Sequence, residues 1–378
     1  MFNDKVNAAT AELAARKQIT RAVLQEDKEV ILTEWTDDMF RRDAAIDRLG
    51  GLARETPTEA RRIARLLCAY VKDLSREYPA DPVPELSKDK DISDYIDRAY
   101  EYSEVADWVE TLKVKRDDAE QAVRSLSRIN TLLIEYESGS ENDPVIQLQN
   151  CNLQVMDLSK LDLRFARLNR AHIQNAVFSE SDLRNANLSR VNAHSAKFNR
   201  TNLDGVHMGG ANFMLANLSV SSVQNAVVVN STFQHVTFSM SVLRDTHIHA
   251  SRMFDVNLKL GSTNRLKIWD SELCGLDIGP LSQLAGLELH RVALKYVRFQ
   301  ENKISPEHIT QLFGDATVLL PAEIDRPQNW PDIDLVYKPR LQDSSPFHIE
   351  WNAWKENPDT YDWAARRHMY TTDGRLKS

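Results

Sequence analysis

Stepping by five from Leu148, the chain meets a large apolar residue at nearly every stop. The run goes Leu148, Leu153, Leu158, Leu163, Leu168, Ile173, Phe178 and onward to Ile268, Leu273 and Ile278. Of 27 such centres in one frame, only Ala193 and Thr263 are not large and apolar. The residue two before each centre is mostly small, as at Ala166, Ala186, Ser181 and Ser231, and is never charged. Side chains alternate across an extended segment, so positions i−2 and i share one face. Five residues then make one side of a coil, with a small and a large side chain inward and two residues turning the corner. An amphipathic helix is excluded, because a period of five does not track 3.6. Phe178 with Phe198, and Phe213 with Phe233, fit a stack repeating every 20 residues.

The frame breaks after Ile278 at Gly279-Pro280, a turn signal. Leu289, Leu294, Phe299 and Ile304 then resume the spacing, shifted by one residue. This predicts a bulge or loop at 279–286 followed by about one more coil.

Residues 1–143 read as helical. Thr56-Pro57-Thr58-Glu59 supplies an N-cap, a first-turn proline and an acidic N3, and opens a helix to about Glu77. Further helices are expected at Val6–Leu24, Thr36–Leu52, 91–111 and 117–136, with a linker from Pro79 to Pro84 and an end to the helical region at 138–144. Ser305-Pro306-Glu307 starts a short helix by the same logic. Residues 332–378, with Trp351, Trp354 and Trp363, form a docked arm or a mobile tail. The expected domains are 1–144 (α-helical), 145–304 (β-helix) and 305–378 (capping helix and tail).

Units such as Ser181-Asp182-Leu183, Ala186-Asn187-Leu188 and Ala216-Asn217-Leu218 resemble the pentapeptide-repeat family, whose consensus is Ala-(Asp/Asn)-Leu-x-x. The resemblance implies a right-handed quadrilateral β-helix with four repeats per coil, hence nearly seven coils. The fold class expected is therefore α+β multidomain, an α-helical N-terminal domain before the β-helix and a C-terminal cap and tail. The segment Ala45–Pro79 and the stretch from Phe313 to Pro331 are similar to bacterial relatives with a helical N-terminal region and no assigned function. Many of those carry membrane helices upstream. No apolar run here approaches the ~20 residues a spanning helix needs.

Charge divides the same segments. Residues 1–145 carry a net −9, 146–280 a net +3 and 281–378 a net −2, within a total of −8. Three widely spaced cysteines without a CxxC read as reduced thiols, and with no signal-peptide pattern they point to the cytoplasm.

No phosphate loop, nucleophile elbow or HExxH is present, which argues against an enzyme, and no cofactor site is expected. His247 and His249 flank Ile248 and, with Asp245, offer three outward ligands. Solvated surface histidines are the commoner reading, and no metal site is assigned. A basic cluster of Arg164, Arg167, Arg170, Arg184, Arg190 and Arg200, with Lys160 and Lys197, fits an acidic protein surface, this chain's own acidic N-terminal region included. Nucleic acid is disfavoured, since aromatic interleaving is missing beyond Phe165.

From Gly205 to Leu243 no side chain is charged. Outward apolar positions in and just beyond this stretch are Met214, Leu215 and Phe254 on one face, Val229 and Trp269 on an adjoining one, and Val220 and Met240 on another. Such a patch marks an interface, covered by the chain's own flanks, by a second copy or by a foreign protein. The function expected is a non-catalytic scaffold presenting flat faces to a protein partner. Its alternative, drawn from the family, is a DNA-mimicking inhibitor or protector of a DNA topoisomerase. The basic repeat region argues against that mimicry.

Overall fold

The computed structural model describes residues 1–25, 28–84, 95–136, 144–257, 262–275, 277–278, 286–299, 309–337 and 345–377. The N-terminal part holds α1 (Phe2–Glu12), an antiparallel hairpin of β1 (Arg16–Gln25) and β2 (Lys28–Asp37), then α2 (Met39–Glu55), α3 (Ala60–Glu77), α4 (Tyr95–Thr111) and α5 (Asp117–Tyr136). The helix expected over Val6–Leu24 is thus corrected: it stops at Glu12. From Arg16 the chain is a strand, pairing residue for residue with 28–37. The β-branched residues Ile19, Thr20 and Val23 favour that state once a partner strand exists. Pro57 to Glu59 form a single 3-10 turn before α3, and the Thr56 side chain makes no capping bond there. Apolar faces of α2, α3 and α5 meet through Ile46, Leu49, Ile63, Leu67, Val71, Leu126 and Ile129. Gly50 permits the close approach of α2 to α5, since a Cβ there would lie 2.7 Å from Ser125 Oγ.

From Gln147 the chain winds into a four-sided stack. Residues before the centres bridge in parallel to their counterparts 20 positions on: Gln147 to Arg167, Asn152 to His172, Asp157 to Val177 and Asp162 to Asp182. We call the sides A, B, C and D, with centres Leu148, Leu153, Leu158 and Leu163 and those stacked on them. Phe178 and Phe198 stack with centroids 5.0 Å apart, and Phe213 and Phe233 at 5.1 Å. Later coils are regular enough to form strands. Face A holds β3 (Val227–Val229), β5 (His247–His249), β7 (Lys267–Trp269) and β10 (Glu288–His290). Face B holds β4 (Thr232–Gln234), β6 (Arg252–Phe254), β8 (Glu272–Cys274), β11 (Val292–Lys295) and β13 (Leu312–Gly314). On face C, β9 (Asp277–Ile278) pairs with β12 (Arg298–Phe299).

Past Ile278 the register becomes 21, as Lys267 meets Glu288 and Glu272 meets Ala293. One extra residue between Ile278 and Leu289 explains the shift read from the sequence. The stack also runs beyond the boundary expected at 304, because β13 pairs with β11 and Leu319 bridges Arg298. Ile304, the helix expected at Ser305-Pro306-Glu307, most of the 279–286 loop and most of the 138–144 segment lie outside the described residues.

The repeat consensus has a local cause at each position. Asp or Asn before the centre accepts a hydrogen bond from the N–H after the centre, at 2.9 Å in Asn187–Ser189 and 3.2 Å in Asn212–Met214. Among the described residues, the one two after a centre turns the corner in the left-handed region, with φ between 48° and 66° where it is not glycine. Asn tolerates that conformation, whereas the β-branched Val155 and Val220 adopt it with strain. Inward hydroxyls donate to carbonyls of the coil below, as Ser181 does to Leu158 at 2.7 Å and Thr201 to Phe178 at 2.7 Å. They fill the narrow wall without leaving a buried donor unpaired.

Each end of such a stack exposes backbone groups that an interior coil would satisfy. At the N-terminal edge the four N–H groups of Gln147, Asn152, Asp157 and Asp162 have no coil beneath them. They donate instead to Cys68 Sγ (3.4 Å), Ser75 Oγ (3.0 Å), Glu120 Oε2 (3.0 Å) and Ser127 Oγ (2.8 Å). Cys68 and Ser75 lie two turns apart on α3, and Glu120 and Ser127 two turns apart on α5, so each helix serves two faces. The apolar core continues from these helices into the first coil without a break.

At the other edge, Trp330 Nε1 donates to Leu312 O at 2.9 Å, and Arg326 donates to Asp315 O at 2.6 Å and Val318 O at 2.8 Å. The chain then returns along face B as a docked arm, with α6 (Pro346–Glu356) and α7 (Trp363–Arg366). Phe347, Trp351, Trp354 and Trp363 are buried against Phe254, Cys274 and Phe313. Lys295, fully buried, holds the arm through Asp315, Asp334 Oδ1 (2.6 Å) and Leu335 O (2.9 Å).

Candidate functional site

The four faces differ in what lies over them. Face B is covered along most of its length. Asn152 and Gln154 hydrogen-bond to Tyr78 and Asp81 of the linker after α3, at 3.0 and 2.8–3.0 Å. Further along, Gln174 and His194 are buried, and Met214 packs under Val105 and Val109 of α4 with Leu215 beside it. Burial alone pushes the His194 pKa down to about 4. The C-terminal arm then covers Phe254. Met214 and Phe254, expected on an outward apolar patch, therefore do not face solvent: the chain's own α4 and C-terminal arm occupy the space beside them.

Among the described residues, face A has no such cover. Its outward positions run Arg167, Asn187, His207, Val227, His247, Lys267 and Glu288 before the centres, and Asn169, Ser189, Gly209, Val229, His249, Trp269 and His290 after them. Val227 and Trp269 are 40% and 41% exposed and Val229 is half-buried. Lys267 Nζ sits 5.9 Å from the Trp269 ring centroid and 3.1 Å from Glu288. Val220 and Met240, also exposed, stand on a corner between faces C and D and not beside Trp269. Of the three groups, Met214, Leu215 and Phe254 lie on face B or its edge, Val220 and Met240 on the C–D corner, and Val229 and Trp269 on face A. Val227 was not among the expected residues. Its signal was legible, since it directly precedes the centre Val228 and points outward.

The basic residues also lie on more than one face. Arg164 and Arg184 lie on face D and are neutralised by Asp162 and Asp182, each pair at 2.6 Å. Those bonds hold both guanidinium groups above their ordinary pKa. Arg167, Arg170 and Arg190 stand exposed on face A and its corner with face B, and Arg200 is exposed on the C–D corner. Among the described residues no acidic side chain of the N-terminal region forms an ion pair with these arginines. Where α5 meets the stack, Thr131 and Asn130 bind Asp162, and Arg124 binds Asp157, so the sense of the charge contact is opposite to that expected.

His247 and His249 are both exposed on face A. His249 Nε2 lies 3.1 Å from Asp270, while Asp245 is paired with Arg265 at 2.6 Å. Among the described residues no group of three or more His, Cys, Asp or Glu is placed to hold a metal ion. The three cysteines are buried and unbridged, and burial raises the thiol pKa of Cys68 and pushes that of Cys151 up to about 11. Among the described residues no helix is long and apolar enough to cross a membrane.

Comparison with known families matches residues 171–210 to "Pentapeptide repeats", in 8 copies. Comparison with curated proteins returns no match. Among solved structures, the chain is similar to full-length QnrB1, a plasmid-mediated fluoroquinolone resistance protein, at 15% identity and a TM-score of 0.32, covering 41% of this chain and 82% of that one. It is similar to HetL, involved in heterocyst differentiation regulation in the cyanobacterium Nostoc, at 18% identity and a TM-score of 0.18, covering 50% and 90%. Rfr23 from the cyanobacterium Cyanothece matches at 20% identity and a TM-score of 0.17, covering 34% and 96%.

Proposed function

We propose that this chain, a pentapeptide-repeat protein, acts as a non-catalytic scaffold that presents face A of its β-helix to a protein partner. One observation carries the reading. Among the described residues, the flanks cover both ends of the stack and most of face B, whereas face A is a rigid parallel sheet bearing Val227, Val229 and Trp269 without such cover. A backbone fixed by coil-to-coil hydrogen bonds loses little conformational freedom on binding, which favours association through a flat face. Solvated faces of the same stack carry polar residues at equivalent positions, as Ser219 and Ser239 do on face C. The exposed Arg167, Arg170 and Arg190 put positive charge where a mimic of duplex DNA needs negative charge, so the scaffold reading is favoured over mimicry.

The test compares two double variants. Val227→Glu with Trp269→Glu changes face A, and Ser219→Glu with Ser239→Glu changes face C. Partner capture and solution mass should be lost or altered by the first pair only. Equal behaviour of the two pairs overturns the assignment of face A.

A further inference from the structure

Face A changes character along its length. Over its first four coils, centred on Leu148, Leu168, Leu188 and Met208, neither the face nor either of its corners holds a carboxylate. Three arginines stand there. Arg167 precedes its centre on the face, and Arg170 and Arg190 follow theirs on the corner toward face B, one coil apart. All three are exposed, and among the described residues none of them makes a side-chain hydrogen bond or an ion pair. Arg164 and Arg184, one face away, each hold an aspartate at 2.6 Å. Gly209 and Gly210 leave that side of the next coil without side chains. From the fifth coil the strip turns apolar, with Val227 and Val229 and, beyond the coil of His247 and His249, Trp269. The carboxylates at this end are already engaged. Asp245 holds Arg265 at 2.6 Å, Asp270 holds Arg291 at 2.6 Å, and Glu288 holds Lys267 at 3.1 Å.

The strip therefore has two unlike ends, one cationic and unpaired, the other apolar. Coils stack at about 4.8 Å, so Val229 lies about 10 Å and Trp269 about 19 Å along the stack from Arg190. Resting on the reading of face A as the binding face, we infer that its partner lays one acidic and apolar peptide segment along this strip. Its carboxylates meet Arg167, Arg170 and Arg190, and its apolar side chains reach Val229 and Trp269. Each end has a separate task. Complementary charge steers the encounter and fixes which way round the segment lies. Apolar contact with a rigid face holds it there. Arginine suits the first task, because its planar fork meets a carboxylate through two parallel hydrogen bonds. A nucleic-acid strand along the same strip would need cations over its whole length, and the unpaired ones on face A end at Arg190.

The experiment is fluorescence anisotropy on the full chain with labelled synthetic peptides. The probe carries three glutamates, a flexible Gly-Ser spacer, then valine and leucine, and is made in both chain directions. One control replaces the glutamates by glutamine, a second replaces the valine and leucine by serine, and a third probe is a single-stranded oligothymidylate. At least one direction of the peptide should bind, more weakly as salt rises. The glutamine control should lose about tenfold in affinity and most of the salt dependence, the scale of three exposed charge contacts. Arg167→Gln with Arg170→Gln and Arg190→Gln should do the same to the parent peptide. These side chains point outward, so an unchanged melting temperature checks that the variant is folded. Val227→Glu with Trp269→Glu should weaken the parent peptide but not the serine control. A peptide that responds to Val227 and Trp269 but not to the arginines overturns this inference and leaves the reading of face A standing. One that responds to the arginines alone overturns the joint strip and counts against that reading as well. No binding in either direction, or tighter binding of the oligothymidylate, overturns the acidic peptide as the occupant, while partner capture with the face A variant still decides the wider reading.

Discussion

The two edges of the β-helix face the same physical problem and meet it with different elements. At the N-terminal edge α3 and α5 answer four N–H groups with a thiol, two hydroxyls and a carboxylate, one per face, and answer the carbonyls of Asp157, Asp162 and Arg164 with the Arg124 guanidinium and the Asn130 amide. At the far edge the returning chain supplies an indole and a guanidinium to carbonyls. Gly314 makes room for that indole, since a Cβ there would lie 2.8 Å from the Trp330 ring. The first solution lays two helices across the end of the stack. The second leads into an arm that turns back along one side, anchored by a buried lysine. A parallel stack cannot finish itself, so its flanks are part of its stability and decide which faces they cover.

The largest effect on this contrast is expected at the arm. Lys295→Met leaves Asp315 buried without its cation, a loss of about 3–5 kcal/mol. Limited proteolysis should then cut within 320–377 while the repeat core stays protected. A protease pattern like that of the parent would show that the aromatic contacts alone hold the arm.

Acid should loosen the cover on face B next. His194 is held neutral by burial, with its pKa depressed to about 4 against an ordinary value near 6.5. The stability contributed by the neutral imidazole is full above pH 6.5 and is lost as pH falls toward 4. It amounts to about 3 kcal/mol by linkage. His194→Gln should flatten that part of the pH profile, measured by hydrogen exchange in α4. An unchanged profile would show that His194 protonates without opening the cover.

At the N-terminal edge, Ser75→Ala and Ser127→Ala each leave one buried N–H without an acceptor, at about 1–3 kcal/mol apiece. The losses should add in the double variant, because the serines cap different faces. Denaturant unfolding of the four proteins measures this. A double variant no weaker than either single would mean that α3 and α5 detach together once one cap is lost.

The smallest effect has the opposite sign. Val220 sits at φ 60° and is exposed, so it has strain and little packing to lose. Val220→Asn should raise stability by about 1 kcal/mol. A drop in the unfolding midpoint would show that Val220 packs on something in solution.

The inward architecture was readable from the sequence because each repeat is a local rule. A centre such as Phe213 and a wall residue such as Ala211 stand two residues apart, and the pleat alone puts them on one side. The one-residue shift before Leu289 was readable for the same reason. The helix α3 was legible from its first-turn proline and apolar side, whereas the β1–β2 hairpin was not, since either strand alone carries no sign of its partner. Outward positions followed no local rule. Met214 and Trp269 occupy equivalent places after their centres, yet one lies under α4 and the other faces solvent. Nor does anything in the serines at 75 and 127 announce that they finish a stack beginning at residue 147. Cover depends on where segments far apart in sequence come to rest, which is a property of packing between elements and not of any one of them. The sequence by itself therefore determined the coil and its interior, and only the tertiary structure decided which faces the protein keeps for itself and which it leaves open.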